Sequence, residues 1–198
     1  MLLRKLAFVA TAAFATACGS VPASRDVTCG SSSVQVLSNG SFDLAMPAWV
    51  QEPASPSVLC GTNILTPVDG TTAACLGGTD GKIVTVSQEV SLPEGAKKAT
   101  LSGQICITTE EPTGADAVEN DVLQIQLLDG STVLATLGQF SNKQGVAKDC
   151  QFMAFTPLTA ALASDPVSAT LQLRTALNTE KTTSFFVDAL KLDVSCTQ

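Results

Sequence analysis

From residue 34 onward, apolar and polar residues alternate with a period of two. Val84, Val86, Val90 and Leu92 fall on one side of a segment whose other side carries Thr85, Ser87, Glu89 and Ser91. Successive side chains of a strand point to opposite faces, so this pattern predicts a strand buried on one face only. Ala99, Leu101, Gly103, Ile105 and Ile107 repeat it, as do Leu123, Ile125 and Leu127, with Gln124 and Gln126 facing out. Leu171 and Leu173 alternate with Thr170, Gln172 and Arg174, and the last strand is read with Phe186, Leu190, Leu192 and Val194 on one side. Turn residues punctuate these runs: Asn39-Gly40, Asp80-Gly81, Pro93-Glu94-Gly95 and Asp129-Gly130. The last of these, between LQIQLL and STVLATL, has the form of a two-residue hairpin. Residues 156–164 (TPLTAALAS) predict one or two helical turns, the one helix expected in the domain. About eight short strands with one apolar face each suit an all-β, two-sheet antiparallel sandwich over residues 34–198.

The start of the chain follows a different rule. Met1 to Lys5 is basic and Leu6 to Ala17 is apolar. That run is too short to cross a bilayer as a helix, which takes about 20 residues. A basic start, a short apolar stretch and small residues at its end describe a secretory signal over residues 1–17. The ending Ala15-Thr16-Ala17-Cys18 resembles the bacterial lipobox, with Ala15 where leucine is usual, and implies lipid on Cys18. Cysteine arithmetic agrees. Seven is an odd count, and lipidation of Cys18 leaves Cys29, Cys60, Cys75, Cys106, Cys150 and Cys196. Six cysteines in an oxidising compartment read as three bridges, with the connectivity open. Residues 18–33, small and polar with Ser31-Ser32-Ser33, read as a flexible tether. The expected setting is a bacterial cell envelope, with the membrane as partner through the lipid anchor. Gly19 after the cysteine favours the outer membrane by resemblance to enterobacterial sorting.

Composition narrows the chemistry. The formal charge is −7, and −9 once Arg4 and Lys5 leave with residues 1–17. An acidic surface without a Lys/Arg cluster repels phosphate backbones, which argues against nucleic acid as a partner. The chain has no histidine. A Ser-His-Asp triad, a Cys-His pair and a His-containing zinc site are therefore excluded. No C-x-x-C occurs, which argues against a zinc ribbon or a thioredoxin-like redox site. Carboxylate chemistry, as a glycosidase or lyase pair, remains open in principle, but no such pair stands out, so the reading is non-enzymatic. The acid-rich stretch 110–121 (EEPTGADAVEND) lacks the order of an EF-hand and reads as a solvated loop.

LSNGSFD at residues 37–43 followed by Trp49 resembles the opening of galactose-binding-like jelly-roll modules. CLGGTDGKIVTVSQEVSLPEGAKKATLSGQI, DVLQIQLLDGSTVLATLGQFSN and TEKTTSFFVDALKLDV resemble later blocks of such modules, as appended to bacterial secreted proteases. The resemblance spans about residues 37–194 and implies a disulfide-stapled jelly roll with a binding, adhesion or accessory role. It also implies bridges between Cys29 and Cys196, Cys106 and Cys150, and Cys60 and Cys75. A true carbohydrate-binding module is the rival expectation. It predicts an exposed aromatic, or clustered amide and carboxylate side chains, on one sheet face. With no tyrosine and one tryptophan, the chain has few aromatics to offer a sugar. Trp49 is expected to pack into the sandwich, Phe42, Phe155 and Phe186 on or near core positions, and Asn39-Gly40-Ser41 to serve as a turn. The partners implied are a glycan or a surface protein.

Asp188 shares the parity of Phe186, Leu190 and Leu192, which points its carboxylate at the core. A carboxylate there is costly unless bonded. The resemblance implies a structural calcium held by Asp43 and Asp188, with Asp43 and Ala189 departing from the usual residues. The alternative is an Asp188 bonded to backbone N–H groups or to hydroxyls such as that of Thr183.

Overall fold

The computed structural model describes residues 33–43, 49–78 and 81–197. The expected leader, Cys18, Cys29 and nearly all of the tether lie outside the described residues. The described residues form twelve strands: β1 Val34–Gln35, β2 Val50–Glu52, β3 Leu59–Gly61, β4 Thr72–Gly77, β5 Thr85–Ser91, β6 Lys98–Thr109, β7 Val122–Asp129, β8 Thr132–Ser141, β9 Met153–Ala154, β10 Leu158–Ala161, β11 Ser168–Ala176 and β12 Thr183–Ser195. The expected figure of about eight covered the long strands and missed the short edge pieces. One 3-10 turn, Asn142–Gln144, is the only helical element among the described residues.

The strands form two antiparallel sheets. One has seven strands in the order β10-β6-β12-β4-β3, with β1 also on β12 and β9 also on β6. The other has five, in the order β2-β5-β11-β7-β8. Each strand turns its apolar side inward. Leu101, Leu123, Ile125, Leu127, Leu171, Leu173 and Leu192 are completely buried between the sheets. The Asp129-Gly130 signal is a hairpin, with Asp129 opposite Thr132 and Gly130 at positive φ.

Two local expectations change. Residues 158–161 form strand β10, whose Leu158 and Ala160 pair with Leu101 and Ala99 of β6. A two-turn helix is marginal in water. The open edge of β6 offers this segment a ladder, and Leu158 packs its methyls over Gly138.

The second change lies in β12. A bulge interrupts its register with β6 between Asp188 and Lys191, with Ala189 at φ 51°. The extra residue switches which parity faces inward. Phe185 and Val187 are buried before the bulge, and Leu190, Leu192 and Val194 after it. Phe186 and Asp188 therefore lie on the outer face of the seven-stranded sheet, and the reading that placed them toward the core is corrected. Phe186 is half-buried there, opposite Cys75 on β4 and Cys106 on β6.

Candidate functional site

The two outer faces of the sandwich differ, and the cysteines make the difference. Disulfides join Cys60 to Cys75 and Cys106 to Cys150. Both lie on the outer side of the seven-stranded sheet, flanking Phe186, and the second ties down the segment that follows β8. Leu65, Thr66 and Val68 from one loop meet Cys150, Gln151 and Phe152 from the other around a shared pocket. Cys196 is disulfide-bonded as well. Cys29, expected as its partner, lies outside the described residues. The seven-stranded sheet is thus largely roofed by stapled loops.

Among the described residues, no disulfide-fastened loop covers the five-stranded sheet. Its register lines up outward side chains across the strands. One row runs Glu52, Thr85, Arg174, Gln124, Gln139. The next runs Val50, Ser87, Gln172, Gln126, Thr136, and a third Glu89, Thr170, Leu128, Val133. Beneath them lie Val86, Leu123, Ile125, Leu127, Leu171 and Leu173, all buried. Gln126 donates through Nε2 to Thr136 Oγ1 at 3.3 Å, and Gln139 to Glu119 Oε1 at 2.6 Å. Ser87 Oγ donates to the Val50 carbonyl at 3.5 Å, and Thr85, Gln124, Gln172 and Arg174 are half-exposed. An amide offers donor and acceptor together, and a planar row of them matches the vicinal hydroxyls of a sugar. No aromatic ring stands in these rows.

No family model and no curated protein matches the chain. Solved structures do. The K3 cleaved adhesin domain of Lys-gingipain from Porphyromonas gingivalis w83 has a TM-score of 0.52 at 14% identity, over 81% of this chain and 98% of that domain. A CBM61 module in complex with β-1,4-galactotriose gives 0.46 at 13%, over 77% and 90%. The xylan-binding module CBM15 gives 0.45 at 14%, over 85% and 100%. The chain has the two-sheet jelly-roll fold of that adhesin domain. Within it β1 pairs β12, so the first and last strands are neighbours, and the strands of the amide rows form one layer.

Asp43 and Asp188 lie on either side of the loop that leads into β4 of the jelly roll. Asp188 is completely buried, and its Oδ2 accepts the backbone N–H groups of Val68 at 2.6 Å and Asp69 at 3.1 Å. Its Oδ1 accepts from Ala189 N at 2.6 Å. Burial pushes its pKa above the ordinary carboxylate value, and these three N–H bonds pull against that rise. Asp43 is exposed, and its Oδ1 accepts from Thr71 N at 2.6 Å, Thr72 N at 3.0 Å and the Thr71 hydroxyl at 3.2 Å. The Thr71 backbone bond leads in holding its pKa below the ordinary value. Between the two acids Gly70 sits at φ +73°, where a Cβ would fall 1.4 Å from Asp43 Oδ2. Calcium takes six to eight oxygen ligands. Here three of the four carboxylate oxygens already receive backbone N–H donors. No cluster of three or more His, Cys, Asp or Glu side chains gathers for a metal among the described residues. The donor set fits carboxylates held by backbone dipoles and does not fit calcium.

Thr183, weighed as a partner of Asp188, donates instead to Asp121 Oδ2. The acid-rich stretch 110–121 is no solvated loop throughout, since Glu111 and Asp121 are buried. Asn178 donates its backbone N–H to Asp121 Oδ1 at 2.8 Å and its side-chain amide to Glu111 Oε1 at 3.0 Å, while Asn120 Nδ2 donates to Glu111 Oε2 at 3.0 Å. Asn142, fully buried, receives Asn120 N and Asp121 N on Oδ1 and donates to the carbonyls of Pro112 and Val118. The signal for this was the run of Asn and Asp at loop ends, which bond backbone groups of turns. Trp49 packs against the core, stacked on Phe42 with ring centroids 4.7 Å apart, and its Nε1 donates to Asn39 O at 2.8 Å. Phe155 is buried, as expected, and meets Phe140 edge-on at 5.3 Å. Both line an apolar groove of about 520 Å³ beside the Cys106–Cys150 bridge.

Proposed function

We propose that this jelly roll is a non-catalytic binding module that takes a glycan chain across the open face of its five-stranded sheet. The observation that carries this is the alignment of Gln124, Gln126, Gln172 and Thr136 into adjoining rows on a rigid, unroofed surface. Polar groups on strands hold their places better than groups on loops, so a polyol meets them preorganised. The buried carboxylates support the absence of catalysis. Glu111, Asp121 and Asp188 each have both oxygens bonded to protein groups away from this face. The same reading holds the module on a bacterial envelope by lipid at Cys18, with the acidic domain facing outward from the tether.

A glycan array probed with the purified full chain tests the first part. Binding is expected, and Gln126→Ala combined with Gln172→Ala is expected to weaken it about tenfold, since each lost hydrogen bond is worth roughly 0.5–1.5 kcal/mol. An unchanged melting temperature separates that loss from unfolding. Silence on the array, or full binding by the double variant, overturns the assignment.

A further inference from the structure

Arg174 is the one cation in the three rows of the open face. It stands on β11, the central strand of the five, between Thr85 and Gln124. Its guanidinium has no hydrogen bond and no ion pair among the described residues. One carboxylate, Glu52, shares its row, and Glu119 stands near the row's far end. Glu52 is two strands away on one side, about 10 Å at the usual interstrand spacing. On the other side Glu119 is held by Gln139, which is itself two strands from Arg174.

We infer that Arg174 receives a carboxylate of the bound glycan, so that the ligand is an otherwise neutral chain bearing an isolated uronic acid. A guanidinium presents a planar fork of N–H donors that matches a carboxylate bidentately, and such charge-assisted pairs are roughly twice as strong as neutral ones. The flanking groups set the density of charge. Glu52, Glu89 and Glu119 border the face and repel a polymer acidic at every residue, whereas the amides of Gln124 and Gln172 beside Arg174 receive hydroxyls. One acid among several neutral sugars satisfies both.

This rests on the glycan reading above and is tested apart from it. The full chain is titrated with matched pairs of oligosaccharides, each pair differing only by one uronate in place of a neutral sugar. The uronate member is expected to bind about tenfold tighter, with a margin that narrows on adding salt. Arg174→Gln is expected to erase the difference within each pair, and Arg174→Lys, a charge without the fork, to keep part of it. Equal binding within the pairs, or a preference that survives in Arg174→Gln, overturns the role of Arg174 and leaves the glycan reading standing. No binding by either member of any pair overturns both.

Discussion

Asp188 shows how a single carboxyl group is fastened in the interior without a countercharge. Three backbone N–H groups converge on it, two of them from consecutive residues of the loop that leads into β4. Asp188→Asn replaces one acceptor oxygen with an NH2 that faces donors. It is expected to cost about 1–3 kcal/mol, the penalty for leaving buried donors unmet, read from chemical denaturation. The pH dependence has a definite sign. Because the folded pKa is raised above 3.8, ionisation opposes folding at neutral pH, and that opposition is relieved as pH falls through the folded value toward 3.8. The stability gap between wild type and Asp188→Asn should therefore widen on acidification in that window. Asp43 behaves oppositely: its pKa is lowered, so its contribution is full above 3.8 and is lost as pH falls through the folded value. The gap for Asp43→Asn should shrink below 3.8. Gly70→Ala is expected to lower the melting temperature, because a Cβ there meets the Asp43 carboxylate on a left-handed backbone.

At the scale of elements, the loops on the seven-stranded sheet are fastened by disulfides at one point each. The Cys106–Cys150 bridge closes 44 residues of sequence and holds the segment between β8 and β9 against β6. Removing it as Cys106→Ala with Cys150→Ala is expected to destabilise the fold by about 2–4 kcal/mol. Limited proteolysis is expected to cut within residues 145–156 first, while the five-stranded sheet keeps the binding proposed for it. Much of this layer was legible in the sequence. The alternation in β5, β6, β7 and β11 named the buried face of each strand correctly. Gln88, on the buried parity of β5, was the exception, and it is buried because it clamps Ser38, accepting its N–H at 2.8 Å and donating to its carbonyl at 2.8 Å. The segment 156–164 was misread as helical because nothing local reveals that β6 leaves an edge open beside it.

For the whole molecule, the sandwich separates a roofed face, held by covalent staples and by loop N–H groups on carboxylates, from an open face of aligned amides. Since N–H donors occupy the carboxylates that a cation would need, chelation is expected to leave the melting temperature unchanged. A drop with chelator, restored by calcium, would contradict the metal-free fastening. The proposed anchoring is checked by intact mass of membrane-extracted protein, with acyl chains on Cys18 and a gain of six mass units on reduction expected, about two per bridge.

Patterning within each strand determined the all-β class, the inward face of most strands and the number of sulfurs available to staple them, because side-chain alternation is a local property with a period of two. Which strands lie side by side, and in what register, is decided by hydrogen bonds between residues distant in sequence. Gln124, Gln126, Arg174 and Gln172 were each legible as outward, yet only pairing put them in adjoining rows. The bulge at Asp188 makes the same point: a single added residue reverses the faces of a strand, and the string Asp188-Ala189-Leu190 reads equally well on either parity until a partner strand is present.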